Sequence, residues 1–150
     1  MFNKIKYKEA IFLEHIFERT INYYETDKMG IVHHSNYIRF LEEARCEFLK
    51  TIDLPYETLE NNGIMIPVLE VHCKYKYHVS FGDTIVIKSK ISAFTGVKMI
   101  VDYEIINKAN SNLVMTAQTK HCFTNNSLRP INLKKHYIEG YEKIMNALEN

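Results

Sequence analysis

Between Tyr37 and Leu49 the apolar residues Tyr37, Phe40, Leu41, Ala44, Phe48 and Leu49 recur at helical spacing and make one broad stripe. Arg39, Glu42, Glu43, Arg45, Glu47 and Lys50 fall mostly between them, so the stretch predicts an amphipathic helix ending near Thr51. Ser35 or Asn36 can accept a hydrogen bond from the first free backbone N–H groups, which sets the helix start there. Most of the remaining chain reads as strand. One long helix cannot cover both faces of a sheet, so its stripe and one sheet face must bury each other.

Residues 1–15 show no clean period and read as an arm, in part strand. Ile16 to Tyr24 alternates and is rich in β-formers, which predicts a strand. Beyond the helix, Asp53-Leu54-Pro55 breaks the pattern. Pro55 suits the first turn of a short second helix through Glu60, closed by Asn61-Asn62-Gly63. Four strand-like runs follow. Ile64 to Tyr77 is interrupted by Pro67, which marks an edge or entry position. Asp83 to Ala93 puts Ile85, Ile87, Ser89 and Ile91 on one face. Val97 to Asn107 and Asn112 to Thr124 complete the set, with turn chemistry at Phe94-Thr95-Gly96 and Lys108-Ala109-Asn110-Ser111. Short connections make antiparallel pairing of adjacent strands economical. Tyr137, Ile138, Tyr141, Ile144, Met145 and Leu148 mark a C-terminal helix over about 134–148. The fold class is α+β, a strand, a long helix and then a run of antiparallel strands whose inner face meets the helix, with a core over about 16–130. Sheet edges left open by one helix predict a homo-oligomer.

At 150 residues the chain reads as a single domain with room for a proper core. A formal charge of +1 argues against electrostatic capture of nucleic acid or an anionic membrane. Cys46, Cys73 and Cys122 are far apart and odd in number, which points to neither a disulfide framework nor a zinc ribbon. Met1 to Arg19 lacks a signal-peptide core, and no stretch approaches the roughly 20 apolar residues of a membrane span. A soluble, reduced, cytoplasmic protein is the expectation.

Chemistry concentrates just before the helix. Tyr23 to Tyr37 reads as strand, then a turn carrying Asp27 and Gly30, then the helix start. Asp27 thus lies beside amides that carry partial positive charge. A carboxylate near unpaired amides is one way to hold a carbonyl and attack it. By residue type alone, an aspartate at such a position is more often a turn residue. Gly30 supplies either a backbone conformation or a close approach that a Cβ would block.

The run Tyr24-Glu25-Thr26-Asp27-Lys28-Met29-Gly30-Ile31-Val32-His33-His34-Ser35-Asn36-Tyr37, continued by Glu42-Glu43-Ala44-Arg45, resembles the signature of the hydroxybenzoyl-CoA thioesterase family of hotdog folds. Within it the run is most similar to the acyl-CoA thioesterase branch associated with Tol–Pal genes. The likeness continues through Gly63, Val68-x-Glu70, Tyr75 and Phe81-Gly82-Asp83, from about Phe17 to Pro130. The resemblance implies a homodimer or homotetramer that hydrolyses an acyl-CoA thioester at its dimer interface, without metal or cofactor. It implies Asp27 as nucleophile or general base, with backbone amides from Gly30 to His34 polarising the carbonyl and the His34 imidazole shaping the site. Gly30, Ile31 and Val32 would line the substrate site, and Tyr37 would either line the acyl pocket or belong to the core stripe, the commoner fate of such a residue. Lys98 and Arg129 would meet the CoA phosphates, or stand as plain surface charges. Glu42 would be structural, and Glu43 solvated or ion-paired. His33 and His78 depart from the family pattern, and neither is assigned a role. Two other activities fit the fold: hydration of an enoyl-CoA by an Asp–His pair, and a non-catalytic acyl-CoA sensor.

Overall fold

The structure is a computed structural model and describes residues 14–149. Strand β1 is His15–Thr20, helix α1 His34–Thr51, helix α2 Tyr56–Asn61, strand β2 Val68–Tyr75 and strand β3 Thr84–Phe94. Strands β4 (Lys98–Asn107) and β5 (Leu113–Cys122) and helices α3 (Leu133–His136) and α4 (Ile138–Glu149) follow. The five strands form one antiparallel sheet in the order β1-β3-β4-β5-β2.

The alternation anticipated for β3 decides which face is core. Ile85, Ile87, Ser89 and Ile91 all point inward, and across the register they meet Asn107, Ile105, Tyr103 and Val101 of β4. The six stripe residues of α1 close over this face, none more than 4% exposed. Burial of each of the larger of these side chains is worth about 1.5–3 kcal/mol, so this contact is a major source of stability. α4 packs at the side through Ile144 and Tyr141, the latter tilted against Phe94 at 5.4 Å.

Several sequence expectations need correction. The expected strand Ile16–Tyr24 stops at Thr20, and Tyr23–Glu25 form a 3₁₀ turn. The Glu25 carboxylate accepts from the Asn22 N–H at 2.8 Å, which folds the chain back on itself there. α1 begins at His34, capped by His33 rather than by Ser35 or Asn36. Pro55 is the cap residue of α2, just outside its first turn. The strand expected from Ile64 begins only at Val68, after Pro67, and carries a bulge between Val68 and Glu70. It does not pair with its sequence neighbour β3. It crosses to β5, and so occupies the edge opposite β1. The C-terminal helix is two pieces, broken at Tyr137 where φ is −153°. Most of the N-terminal arm lies outside the described residues.

Arg45 is the largest surprise in the core. Read as part of the polar face, it is 5% exposed and heads a buried polar chain. Its Nε donates to the Tyr56 hydroxyl at 3.0 Å and its Nη1 to the Tyr103 hydroxyl at 3.3 Å. Tyr103 in turn contacts Thr119 Oγ1 at 3.1 Å, which meets His121 Nε2 at 2.7 Å. Burial pushes the His121 imidazole down to about 4, and the Arg45 cation pushes the same way. Its Nδ1 has no partner among the described residues, so a proton there would be buried without an acceptor.

A histidine held neutral by the fold takes up a proton more readily once unfolded. Its stabilising effect is therefore complete above the ordinary value of 6.5 and disappears as pH falls towards about 4. Urea titrations across that window should show a loss of about 3 kcal/mol from this group. His121→Gln should flatten that part of the profile, and an unchanged slope would contradict the assignment. His15, also lowered by burial although opposed by Glu47, adds a smaller slope of the same sign.

Candidate active site

The segment between the 3₁₀ turn and α1 is a closed loop. Thr26 and Val32 face each other as an antiparallel bridge. Inside it the Asp27 N–H donates to the Ile31 carbonyl at 2.8 Å, and the Gly30 N–H donates to the Asp27 carbonyl at 2.9 Å. Gly30 has φ of +79°, while a Cβ built on it would meet nothing within 4 Å. Of the two reasons offered for a glycine here, conformation is the operative one. The loop is pinned to the β2–β3 connection by the Val32 N–H donating to the Val79 carbonyl at 2.9 Å and by a bridge between Ile31 and Ser80.

Asp27 serves this turn and still has capacity left. Its Oδ1 accepts from the Met29 N–H at 2.8 Å, the Asx-turn bond expected of an aspartate at such a position. Its Oδ2 has no partner among the described residues. The side chain borders a cleft of about 290 Å³ shared with Met29, Ile31, Val32, His34 and Tyr37, and closed by Tyr75, Lys76, Tyr77 and His78. Five of the sequence-predicted residues, Asp27, Ile31, Val32, His34 and Tyr37, therefore surround one space.

The helix start opens on the same cleft. The His33 Nδ1 accepts from the Ser35 N–H at 3.2 Å and lies 2.7 Å from Ser35 Oγ. The His33 N–H itself donates to the Glu25 carbonyl at 2.9 Å. The His34 N–H, by contrast, finds no acceptor among the described residues, as first-turn amides do unless a cap or ligand meets them. The two imidazoles stack at 4.2 Å, so His33 also steadies His34. Sequence reasoning missed His33 because histidine is not among the usual cap residues.

Tyr37 is both core and wall: 4% exposed, yet on the cleft. Burial, with Tyr75 adding to it, pushes its phenol up to about 12. Its ring lies 5.3 Å from that of Tyr75, whose hydroxyl donates to the His34 carbonyl at 3.3 Å. His78, a departure in the sequence pattern, lines the cleft as well.

Lys98 and Arg129 are not brought to this place. Tyr75 pairs with Met115, whereas Lys98 pairs with Cys122 at the other end of β5, about 23 Å away at strand spacing. Arg129 sits in the exposed turn beyond β5. Among the described lysines, Lys76 borders the cleft of its own chain. Glu43 pairs with Arg19 at 2.8 Å, and Glu42 is exposed, 4.0 Å from Arg45.

Comparison with known proteins places this geometry in a group. The model of the thioesterase-like superfamily matches residues 21–143. A Bacillus subtilis protein named "Putative acyl-CoA thioesterase YneP" is 31% identical over 129 residues, spanning 84% of this chain and 94% of that one. A protein of Aquifex aeolicus named "Putative esterase" is 32% identical over 124 residues, spanning 83% and 94%. Among solved structures, the DHNA-CoA thioesterase from Staphylococcus aureus superposes with a TM-score of 0.85 at 26% identity, covering 89% of each chain.

Proposed function

Because the chain belongs to the thioesterase-like superfamily, we propose that it hydrolyses an acyl-CoA thioester to the free acid and CoA, with Asp27 as the reacting carboxylate. Its fold is the hotdog fold that the resemblance implied, and we read the chain as one hotdog unit. The observation that carries the site assignment is that Asp27 and His34 border one cleft, with one Asp27 carboxylate oxygen and the His34 N–H both lacking a partner among the described residues.

The chemistry follows from that pairing. The thioester carbonyl oxygen accepts from the His34 N–H, whose helix-start dipole favours the negative charge of the tetrahedral intermediate. Asp27 Oδ2 either takes a proton from a water attacking the carbonyl carbon or attacks that carbon itself to give an anhydride, which water then opens. In both routes the C–S bond breaks and CoA leaves as a thiolate that gains a proton. Lys76 at the mouth supplies positive charge for the phosphates of CoA. Two chains joined along the exposed edge of β2 would cover Val68, Leu69 and Tyr75, each about half exposed, and would carry Lys98 and Arg129 towards the partner's cleft. Placement in the Tol–Pal-associated branch rests on the run Tyr24 to Tyr37 and its continuation through Glu42 to Arg45.

Thiol release from a panel of acyl-CoAs, followed with a thiol reagent, tests the activity. Hydrolysis of at least one member at 1 s⁻¹ or faster, on the order of the usual enzyme range, is the expected result. Tight binding of CoA esters with no thiol release from any of them would turn the reading into that of a sensor.

A further inference from the structure

We propose that Glu25 is a positioning residue for this reaction, holding Asp27 against the start of α1 through an ion clamp with Arg19 and Glu43. The proposal rests on the reading of Asp27 given above. Glu25 is only 5% exposed, which is rare for a carboxylate without a dedicated partner. Arg19 Nη1 donates to its Oε2 at 2.8 Å while Nη2 bonds Oε1, the two-pronged geometry that fixes both groups. From the same guanidinium Nε reaches Glu43 of α1 at 2.8 Å, and the group lies 4.0 Å over the Phe40 ring, also on α1. One cation therefore ties β1, the 3₁₀ turn and the central helix together.

The backbone of Glu25 completes the arrangement. Its carbonyl accepts from the His33 N–H at 2.9 Å and from Asn36 Nδ2 at 2.8 Å, closing the neck of the loop that carries Asp27. Asp27 lies two residues beyond that neck, and the His34 amide one residue beyond its other side. A shift of Glu25 thus moves the attacking group relative to the amide that polarises the carbonyl. Displacements of about 1 Å can cost 10²-fold in rate. Stability alone does not call for this device, since a buried ion pair is often replaced by apolar side chains without loss. Burial would push the Glu25 carboxyl up, but the Arg19 fork and the Asn22 N–H outweigh it and hold the group below the usual range. The clamp is therefore charged at neutral pH.

The double variant R19M/E25L separates positioning from stability, because it fills the same space with apolar atoms. The expected result is a thermal midpoint within about 5 °C of the parent, KM within about threefold, and kcat lower by at least about thirtyfold. A folded double variant with kcat within about threefold of the parent overturns the proposal. Should the double variant not fold, Glu43→Gln decides, since Glu43 is half-exposed at the surface and only the ion pair from the clamp to the helix is lost, the contact with Phe40 remaining. There kcat should fall by about three- to tenfold at constant KM, and an unchanged kcat overturns the proposal. Failure of the underlying reading looks different: Asp27→Asn would then turn over like the parent, whatever the clamp variants do.

Discussion

Asp27→Asn should lower kcat by about 10³-fold or more, equivalent to about 4 kcal/mol of lost transition-state stabilisation. The substitution is nearly isosteric, and the amide oxygen can still accept from the Met29 N–H that now bonds Oδ1 at 2.8 Å. The loop should therefore persist, and the affinity for the substrate and the thermal midpoint should stay close to the parent's. What disappears is the negative charge on Oδ2, which both chemical routes need. Steady-state thiol release on parent and variant with one acyl-CoA checks this. Equal kcat values would remove Asp27 from the reaction, and a collapse of the midpoint would show that the carboxylate is chiefly a turn element.

The largest effect on stability is expected at Phe40. Its ring is 1% exposed, carries the Arg19 guanidinium on one side, and meets Tyr37 edge-on with centroids 5.7 Å apart. Phe40→Ala leaves a cavity beneath the clamp and should cost about 4 kcal/mol, a large share of the 5–15 kcal/mol typical of a domain. The corresponding fall in thermal midpoint is about 10 °C. Because the cavity lies under both Arg19 and Tyr37, the residual activity per folded molecule should fall too. A midpoint shift below about 3 °C would mean that the helix and the sheet close over the gap, and that the core is softer than its packing implies.

The helix stripe was legible because burial of a helix face leaves a periodic trace: all six anticipated residues are core. The inward set on β3 was legible for the same reason, with a period of two instead of 3.6. Arg45 was not, because a charged residue on a helix reads as exposed and its partners Tyr56 and Tyr103 are recognisable only once the chain has folded. The pairing of β2 with β5 was hidden for a related reason, since short connections favour sequence neighbours and nothing local opposes it. At the site, the loop from Asp27 to Tyr37 could be read as one unit because turn, glycine and helix start are contiguous. Lys98 was assigned to the substrate by family position, and its distance along β5 from the cleft of its own chain depends on sheet register, which no short motif encodes.

The Asp27→Asn protein, if inactive, would hold an intact acyl-CoA, and a crystal structure of that complex bears most directly on the site. The account predicts the thioester carbon within about 3.5 Å of the residue 27 side chain, with its oxygen at hydrogen-bond distance from the His34 N–H. A thioester bound elsewhere, or one whose oxygen points away from the start of α1, would contradict it.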